Sequence, residues 1–458
     1  MLYSSIDFQE GTPPRIMGGE TEYNVRHMTD DMDLTPYMDD DSYFREEGRD
    51  DGTELWLQNG ARLYVDSGGL LEYATPEVDS AHKLLEYERA GEAIVRDVAD
   101  GMYLTVTKDT SGHNQVYKRS GYDIPGKTRQ TAGHHENYTT SVPAIPALAE
   151  KSHHPLHRAL QSYLSTRQVW AGAGMLRNGY FALGQKMDTI DFTALTKTTS
   201  EGHKPGYDIR PTAPLSHLEI RTADGSMMDW AIIQRYAFTS LVLRMIEHGD
   251  FPDRLLIEPG TTNRSFQYTN DNQRIRVGDA HILPATHQRM IAQSAIDFIA
   301  DHPDVPAEER AAALEVYTAC CQIESLPPDL DGAEELSDRI DWAAKLTLLR
   351  RTGIGELTNL NARALMTDLK WEDIAVNGLA RQWCESVKGS RIATPAAIEL
   401  ARIVPPVTRA MARTALLDQY SPTQEARQDF KAISWSAVQA ECQYHTLLDP
   451  YDPSPERT

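Results

Sequence analysis

Gly18-Gly19-Glu20-Thr21-Glu22-Tyr23 is the stretch that decides how this chain folds, and it reads as a short β-strand opened by two glycines. Side chains at i and i+2 of a strand leave the same face, so Glu20 and Glu22 stand side by side with Thr21 turned the other way. Two carboxylates held that close repel one another unless water or a cation screens them. An exposed strand face meets that need with water. A binding site meets it with a hard divalent ion such as magnesium, which takes oxygen ligands in octahedral geometry. Three further stretches carry acids or imidazole in or beside strands: NGARLYVD (59–66), LEYATPE (71–77) and HHENY (134–138). Asp66 closes the first of these beside Ser67-Gly68-Gly69, where it is either a turn former or a group reaching an incoming ligand.

Working outward, residues 15–25, 61–67, 70–75, 102–107 and 136–142 read as short β segments. The stretch 82–100 places Leu84, Leu85, Ala90, Ile94, Val95 and Val98 at near-helical spacing. Further helices are predicted over 155–170, 228–248 (closed by Gly249), 286–300, 306–323 and 333–352; the 306–323 helix opens after Pro306 with Glu308 and Glu309. Beyond about residue 385 the chain reads as a compact helical tail with a breaker at Pro405-Pro406 and a strand near 432–447. Strands early and helices late predict an α+β fold, a sheet with helices packed on one face. The expected division is a large domain over 1–385 and a small C-terminal domain over 386–458.

The chain has 458 residues, 40% hydrophobic and 24% charged, within the ordinary range for a globular protein with a sizeable core. Its 45 basic and 67 acidic side chains give a net charge of −22, which argues against a nucleic-acid partner. The acidity is densest within residues 26–58, which read as a polar loop. With no apolar run near membrane-span length and no signal-peptide pattern at the start, the expectation is a cytoplasmic protein without membrane attachment. Cys320, Cys321, Cys384 and Cys442 lack CxxC spacing, so neither a zinc site nor a disulfide framework is expected.

In their order, the four motifs resemble the family of Pup ligases and Pup deamidase/depupylases, relatives of the carboxylate-amine ligases. Those enzymes attach or remove a small ubiquitin-like tag, Pup, at lysine side chains. The resemblance is strongest in the first third of the chain, where NGARLYVD matches almost letter for letter. It implies a curved antiparallel sheet of the glutamine synthetase kind and a small C-terminal domain. It also implies Mg2+ on Glu20, Glu22, Glu72 and His135, with Asp66 as catalytic base or nucleophile. Leu70-Leu71 stands where the family has His-Pro before the first glutamate of LEYATPE.

Departures from the family pattern steer the functional expectation. Ligases of this class consume ATP to form an acyl phosphate on the terminal glutamate of the tag, so their site needs positive groups for phosphate. Here the segment that usually reads Lys-Asn-Asn aligns with Val106-Thr107-Lys108, and Ser-Gln-Arg appears as Gly184-Gln185-Lys186. A long Thr-Arg-Asp-Glu-Pro-His loop is reduced to Asp208-Ile209-Arg210-Pro211-Thr212, and Arg-Leu-His reads His217-Leu218-Glu219. Glu219 can serve magnesium as the family imidazole does, but its charge disfavours a polyphosphate nearby. Loss of charge-assisted contacts of roughly 1.5–3 kcal/mol each makes ATP or ADP binding doubtful. The expectation from sequence is therefore a depupylase, an isopeptidase that cleaves Pup from pupylated proteins. Its alternatives are an ATP-dependent Pup–protein ligase and a non-catalytic Pup-binding paralogue. Arg409 and Arg413, in a segment resembling the family's C-terminal one, are expected to hold the acidic tag together with Arg210.

Overall fold

The computed structural model describes residues 13–25, 43–45, 54–66, 70–101, 106–108, 132–143, 154–177, 180–186, 190–191, 204–212, 215–257, 274–351, 362–420, 432–440 and 443–454. Most of the acidic 26–58 stretch and Cys442 lie outside them.

Among the described residues, nine strands form the main sheet. They are β1 (Met17–Val25), β2 (Tyr43–Arg45), β3 (Glu54–Leu57), β4 (Arg62–Asp66), β5 (Leu70–Ala74), β6 (Val106–Thr107), β7 (His134–Thr140), β8 (Tyr207–Pro211) and β9 (Ser216–Ala223). Their order is β8-β9-β7-β1-β5-β4-β3-β2, with β6 also paired to β1, and the pairs are antiparallel. The GGETEY strand thus lies at the centre, and the other three motifs flank it. Alternation along β7 shows how the two faces are divided: His134, Glu136, Tyr138 and Thr140 are buried while His135, Asn137 and Thr139 are half-buried.

Helices cover the buried face. Helix α1 (Ala81–Gly101) and α3 (Asp229–His248) lie closest to it, with α2 (Pro155–Thr166), α4 (Pro284–Asp301), α5 (Ala307–Ser325) and α6 (Asp341–Arg351) around them. Helix α3 is buried from Asp229 to Ile246, as expected of a helix that runs through a core. The α+β architecture with an antiparallel sheet expected from the sequence is what the structure shows. The predicted 333–352 helix is broken: a 3-10 turn at Ala333–Leu336 precedes α6, which begins at Asp341. Asp341 accepts the backbone N–H groups of Met227 and Met228 at 2.8 and 3.3 Å, and this ties the start of α6 to the entry of α3.

Past residue 385 the chain divides its allegiance. Helix α7 (Pro395–Ile403) packs on α1 and places Ala401 in the main core, where the Ala401 carbonyl accepts from Asn59 at 2.8 Å. Helix α8 (Arg409–Tyr420) and the hairpin strands β10 (Ala432–Ser434), β11 (Ala437–Ala440) and β12 (Gln443–Thr446) build a second, smaller core. Trp56 of β3 is the main sheet's contribution to it. Among the described residues, no helix is long and apolar enough to cross a membrane.

Candidate active site

Register places the motif residues on one face, in neighbouring rows across five strands. Glu219 of β9 lies opposite Asn137 of β7, and His135 of β7 opposite Glu20 of β1. Glu22 of β1 is opposite Glu72 of β5, which is opposite Tyr64 of β4. Because all project from the face away from α1 and α3, carboxylates distant in sequence converge. Two trios result, Glu20–Glu72–His135 and Glu22–Asp66–Glu72, and in each the potential ligand atoms lie within 4.8 Å of one another. Glu72 belongs to both.

Hydrogen bonds fix the individual groups. His135 Nδ1 lies 3.2 Å from Glu20 Oε2 and 3.5 Å from Glu219 Oε1. Asn137 donates to Glu20 at 3.1 Å and accepts from His217 at 2.6 Å. Glu22 accepts the backbone N–H of Gly133. Gly133 leaves room for these groups: a Cβ there would sit 2.7 Å from His135 Nε2, 3.0 Å from Lys186 Nζ and 3.2 Å from the Glu22 carboxyl carbon.

The charges of this face do not cancel locally. Burial pushes the Glu72 carboxyl well above its ordinary range, and Glu20, Glu22 and Asp66 push it further in the same direction. The Tyr64 hydroxyl, hydrogen-bonded to Glu72, opposes them. Burial also raises Glu20, but His135 beside it outweighs that and holds it below the usual range. Glu219 is likewise desolvated, yet Arg221, His135 and Arg210 bring it down to about 2. The buried His135 Nε2 has no hydrogen-bond partner among the described residues. Hard oxygen donors in excess, one imidazole and an unsatisfied buried nitrogen make a donor set that suits a divalent cation.

The structure brings together Glu20, Glu22, Glu72, His135 and Asp66. Glu219 stands at the edge of the cluster beside His135, its carboxylate held by Arg221 at 2.6 and 3.0 Å and by Arg210 at 2.5 Å. Arg210 also reaches Asp208 at 3.1 Å and is half exposed. Arg409 and Arg413 do not join the cluster. Both bond Glu77 at 2.7 Å, and Arg413 also donates to the carbonyls of Gly60 and Trp435 at 2.9 and 2.8 Å. The Arg413 side chain is fully buried, with its guanidinium 4.9 Å from the ring centroids of Trp56 and Trp435. It therefore has no surface to offer a tag, and it clamps the small core to the sheet.

Sequence reading did not assign roles to Lys186, Arg221, Tyr64 or His217. Tyr64 and Arg221 had a signal: each lies two residues from an assigned acid, Asp66 or Glu219, and so shares its strand face. Lys186 had one too, its alignment with the family's Ser-Gln-Arg arginine, but not its place near Gly133, where the Glu22 carboxylate also lies.

A family model described as Pup-ligase protein matches residues 15–439. The chain belongs to the Pup-ligase family. It is 27% identical to the Pup–protein ligase of Corynebacterium diphtheriae, over 97% of this chain and 93% of that protein. It is 30% identical to that of Kribbella flavida, over 97% and 98%. Its fold matches a solved complex of Pup with its ligase PafA (TM-score 0.75, 21% identity, 96% of this chain and 90% of that one). A structure of PafA in complex with ADP matches with a TM-score of 0.68 at 22% identity, over 88% and 87% of the two chains.

Two expectations are corrected by these findings. Assignment as a depupylase, a hydrolase of isopeptide bonds, gives way because the relatives along the whole chain are named ligases. Doubt about ATP or ADP gives way because the relatives are ligases and PafA has been solved with ADP. The physical error lay in treating the altered motifs as lost charge. Lys186 keeps a cation beside Glu22 where an arginine was expected, and Arg210 and Arg221 offset the extra carboxylate of Glu219.

Proposed function

We propose that this chain is an ATP-dependent Pup–protein ligase that joins the terminal glutamate of Pup, through its side chain, to a lysine amine of a target protein. One observation carries the reading: the chain aligns over nearly its whole length with proteins named Pup–protein ligase. The convergent carboxylates supply the chemistry such a reaction needs.

In this reading Glu20, Glu22, Glu72 and His135 hold magnesium, which when bound offsets the charge of the ATP phosphates. The chain's own groups do the rest. Asp66, at the open end of β4 beside Glu22 and Glu72, takes the proton of the attacking lysine amine. Tyr64 fixes Glu72 by its hydrogen bond, and Asn137, itself held by His217, fixes Glu20. Lys186 stays beside Glu22 as a fixed positive charge. Amide formation from a free carboxylate is uphill, so phosphorylation of the Pup carboxylate precedes attack, and phosphate leaves as the C–N bond forms.

The test is direct. Purified protein is incubated with Pup, a lysine-bearing target and magnesium, with and without ATP. Conjugate formed only with ATP, together with ADP release, is the expected result. Absence of conjugate with ATP present, while the relative from Corynebacterium diphtheriae ligates the same pair, would overturn the proposal.

A further inference from the structure

At the far end of α3 the chain reads Glu247-His248-Gly249-Asp250, and at the end of α4 it reads Asp301-His302-Pro303. These two helix ends meet. A potential ligand atom from each of His248, Asp250 and His302 lies within 4.8 Å of the others. The main cluster is not nearby: Arg235 of α3 touches the back of its sheet, and His248 is 13 residues further on, about 20 Å along the helix.

Local geometry brings the three groups together, with His248 and Asp250 exposed and His302 half-buried. Gly249 ends α3 in the left-handed region (φ 81°), which turns the chain so that Asp250 comes back beside His248. The Asp250 N–H closes this turn on the Met245 carbonyl at 2.8 Å. On the other helix, His302 Nδ1 donates to the Phe298 carbonyl at 2.9 Å. That bond fixes the tautomer and leaves the Nε2 lone pair for a ligand, the outer-shell arrangement common to metal-binding histidines. The His302 ring is stacked on Phe298 with centroids 4.0 Å apart, and the His248 ring stands nearly perpendicular at 4.9 Å from His302. Two helix C-termini also direct partial negative charge at the same point, which favours a cation.

We propose that His248, Asp250 and His302 form a second metal site, selective for a zinc-class divalent ion. Two imidazoles and one carboxylate are borderline ligands, suited to zinc or its transition-metal neighbours, whereas the oxygen-rich main cluster suits magnesium. Three protein donors leave the fourth tetrahedral position to water. Bound metal joins the ends of α3 and α4 and stabilises the folded chain by linkage.

The experiment uses the full chain carrying E72Q, which weakens the main cluster, titrated calorimetrically with Zn2+ alone and compared with the same chain carrying H302Q or D250N. We expect one zinc ion per E72Q chain, an affinity loss of more than about tenfold in each further variant, and a tetrahedral Co2+ absorption band that disappears with H302Q. Melting in the presence of a chelator checks that each variant folds. In an otherwise native background, H302Q should leave magnesium-dependent ligation unchanged. The proposal fails if the E72Q chain binds no zinc, or if H302Q and D250N both bind it as tightly as E72Q alone.

Discussion

The two faces of strand β1 handle charge in opposite ways. On the helix side Thr21 accepts a hydrogen bond from His134 at 2.9 Å, and His134 accepts one from Arg235 at 2.8 Å. Glu88 lies 3.3 Å from His134, 3.5 Å from Arg235 and 3.6 Å from Lys108. A second set continues this layer, with Arg89 bonding Glu92 at 2.5 Å and Asp229 at 2.7 Å. Burial alone would raise Glu88, but His134, Lys108 and Arg235 together drive it far below the ordinary carboxylate range. One residue either side of Thr21, Glu20 and Glu22 face a group in which Glu72 meets mainly other acids. The helix face is complete without a ligand. The other face is balanced only when something positive arrives, and that asymmetry marks it as the working side.

Four measurements would break or sharpen this contrast. The largest effect is expected from D66N, which should lower ligation by about 10²–10⁴-fold, the usual worth of a positioned general base. Its melting temperature should stay near that of the parent chain. If ligation persists at the parent rate, Asp66 is not the base. On the opposite face R235M should act on stability instead. Removing one member of a buried ion pair costs about 3–5 kcal/mol, readable as a lower urea midpoint, while the surviving folded protein keeps its activity. An R235M protein as stable as the parent would show that the helix-side charges are not balanced as described.

A third measurement concerns Glu77. Burial raises its carboxyl, but Arg413 and Arg409 outweigh this and hold it at about 2 against an ordinary 4.5. Its pKa is depressed on folding, so its contribution is fully present above about pH 4.5 and is lost as pH falls towards 2. Fluorescence of Trp56 and Trp435, which flank Arg413, should report that loss, and E77Q should remove this component of the acid transition. An acid transition of the same shape in E77Q would contradict it. The smallest effect is expected from E72Q: it should abolish the magnesium-induced rise in melting temperature, which R235M should retain. A full magnesium response in E72Q would remove Glu72 from the metal set.

Much of this was legible in the sequence because alternation in strands is a local signal. GGETEY, NGARLYVD, LEYATPE and HHENY each declared a strand and a face, and resemblance supplied their order around the site. What local patterns could not supply was pairing. Arg409 and Arg413 looked like a tag-binding pair, because nothing in their own segment shows that Glu77, more than 330 residues earlier, is their partner. Similarly, Glu219 suggested repulsion of phosphate because Arg210 and Arg221 were not known to flank it. The helix boundary before Asp341 was hidden for the same reason, since its cause is a contact with Met227 and Met228. Sequence-level charge counting was right about which residues carry charge and wrong about which charges remain unneutralised.

The bond between Arg413 and Glu77 has a consequence for how the chain can be cut. Glu77 sits five positions after Glu72 on the same run of backbone, so α8 is bolted to the segment that bears the carboxylate common to both trios. Ending the protein ahead of Arg409 would strand an ionised acid in a dry pocket and expose Trp56 at once. The small lobe is thus a keystone of the sheet's outer strands, and shortened versions of this protein should be designed to end after it.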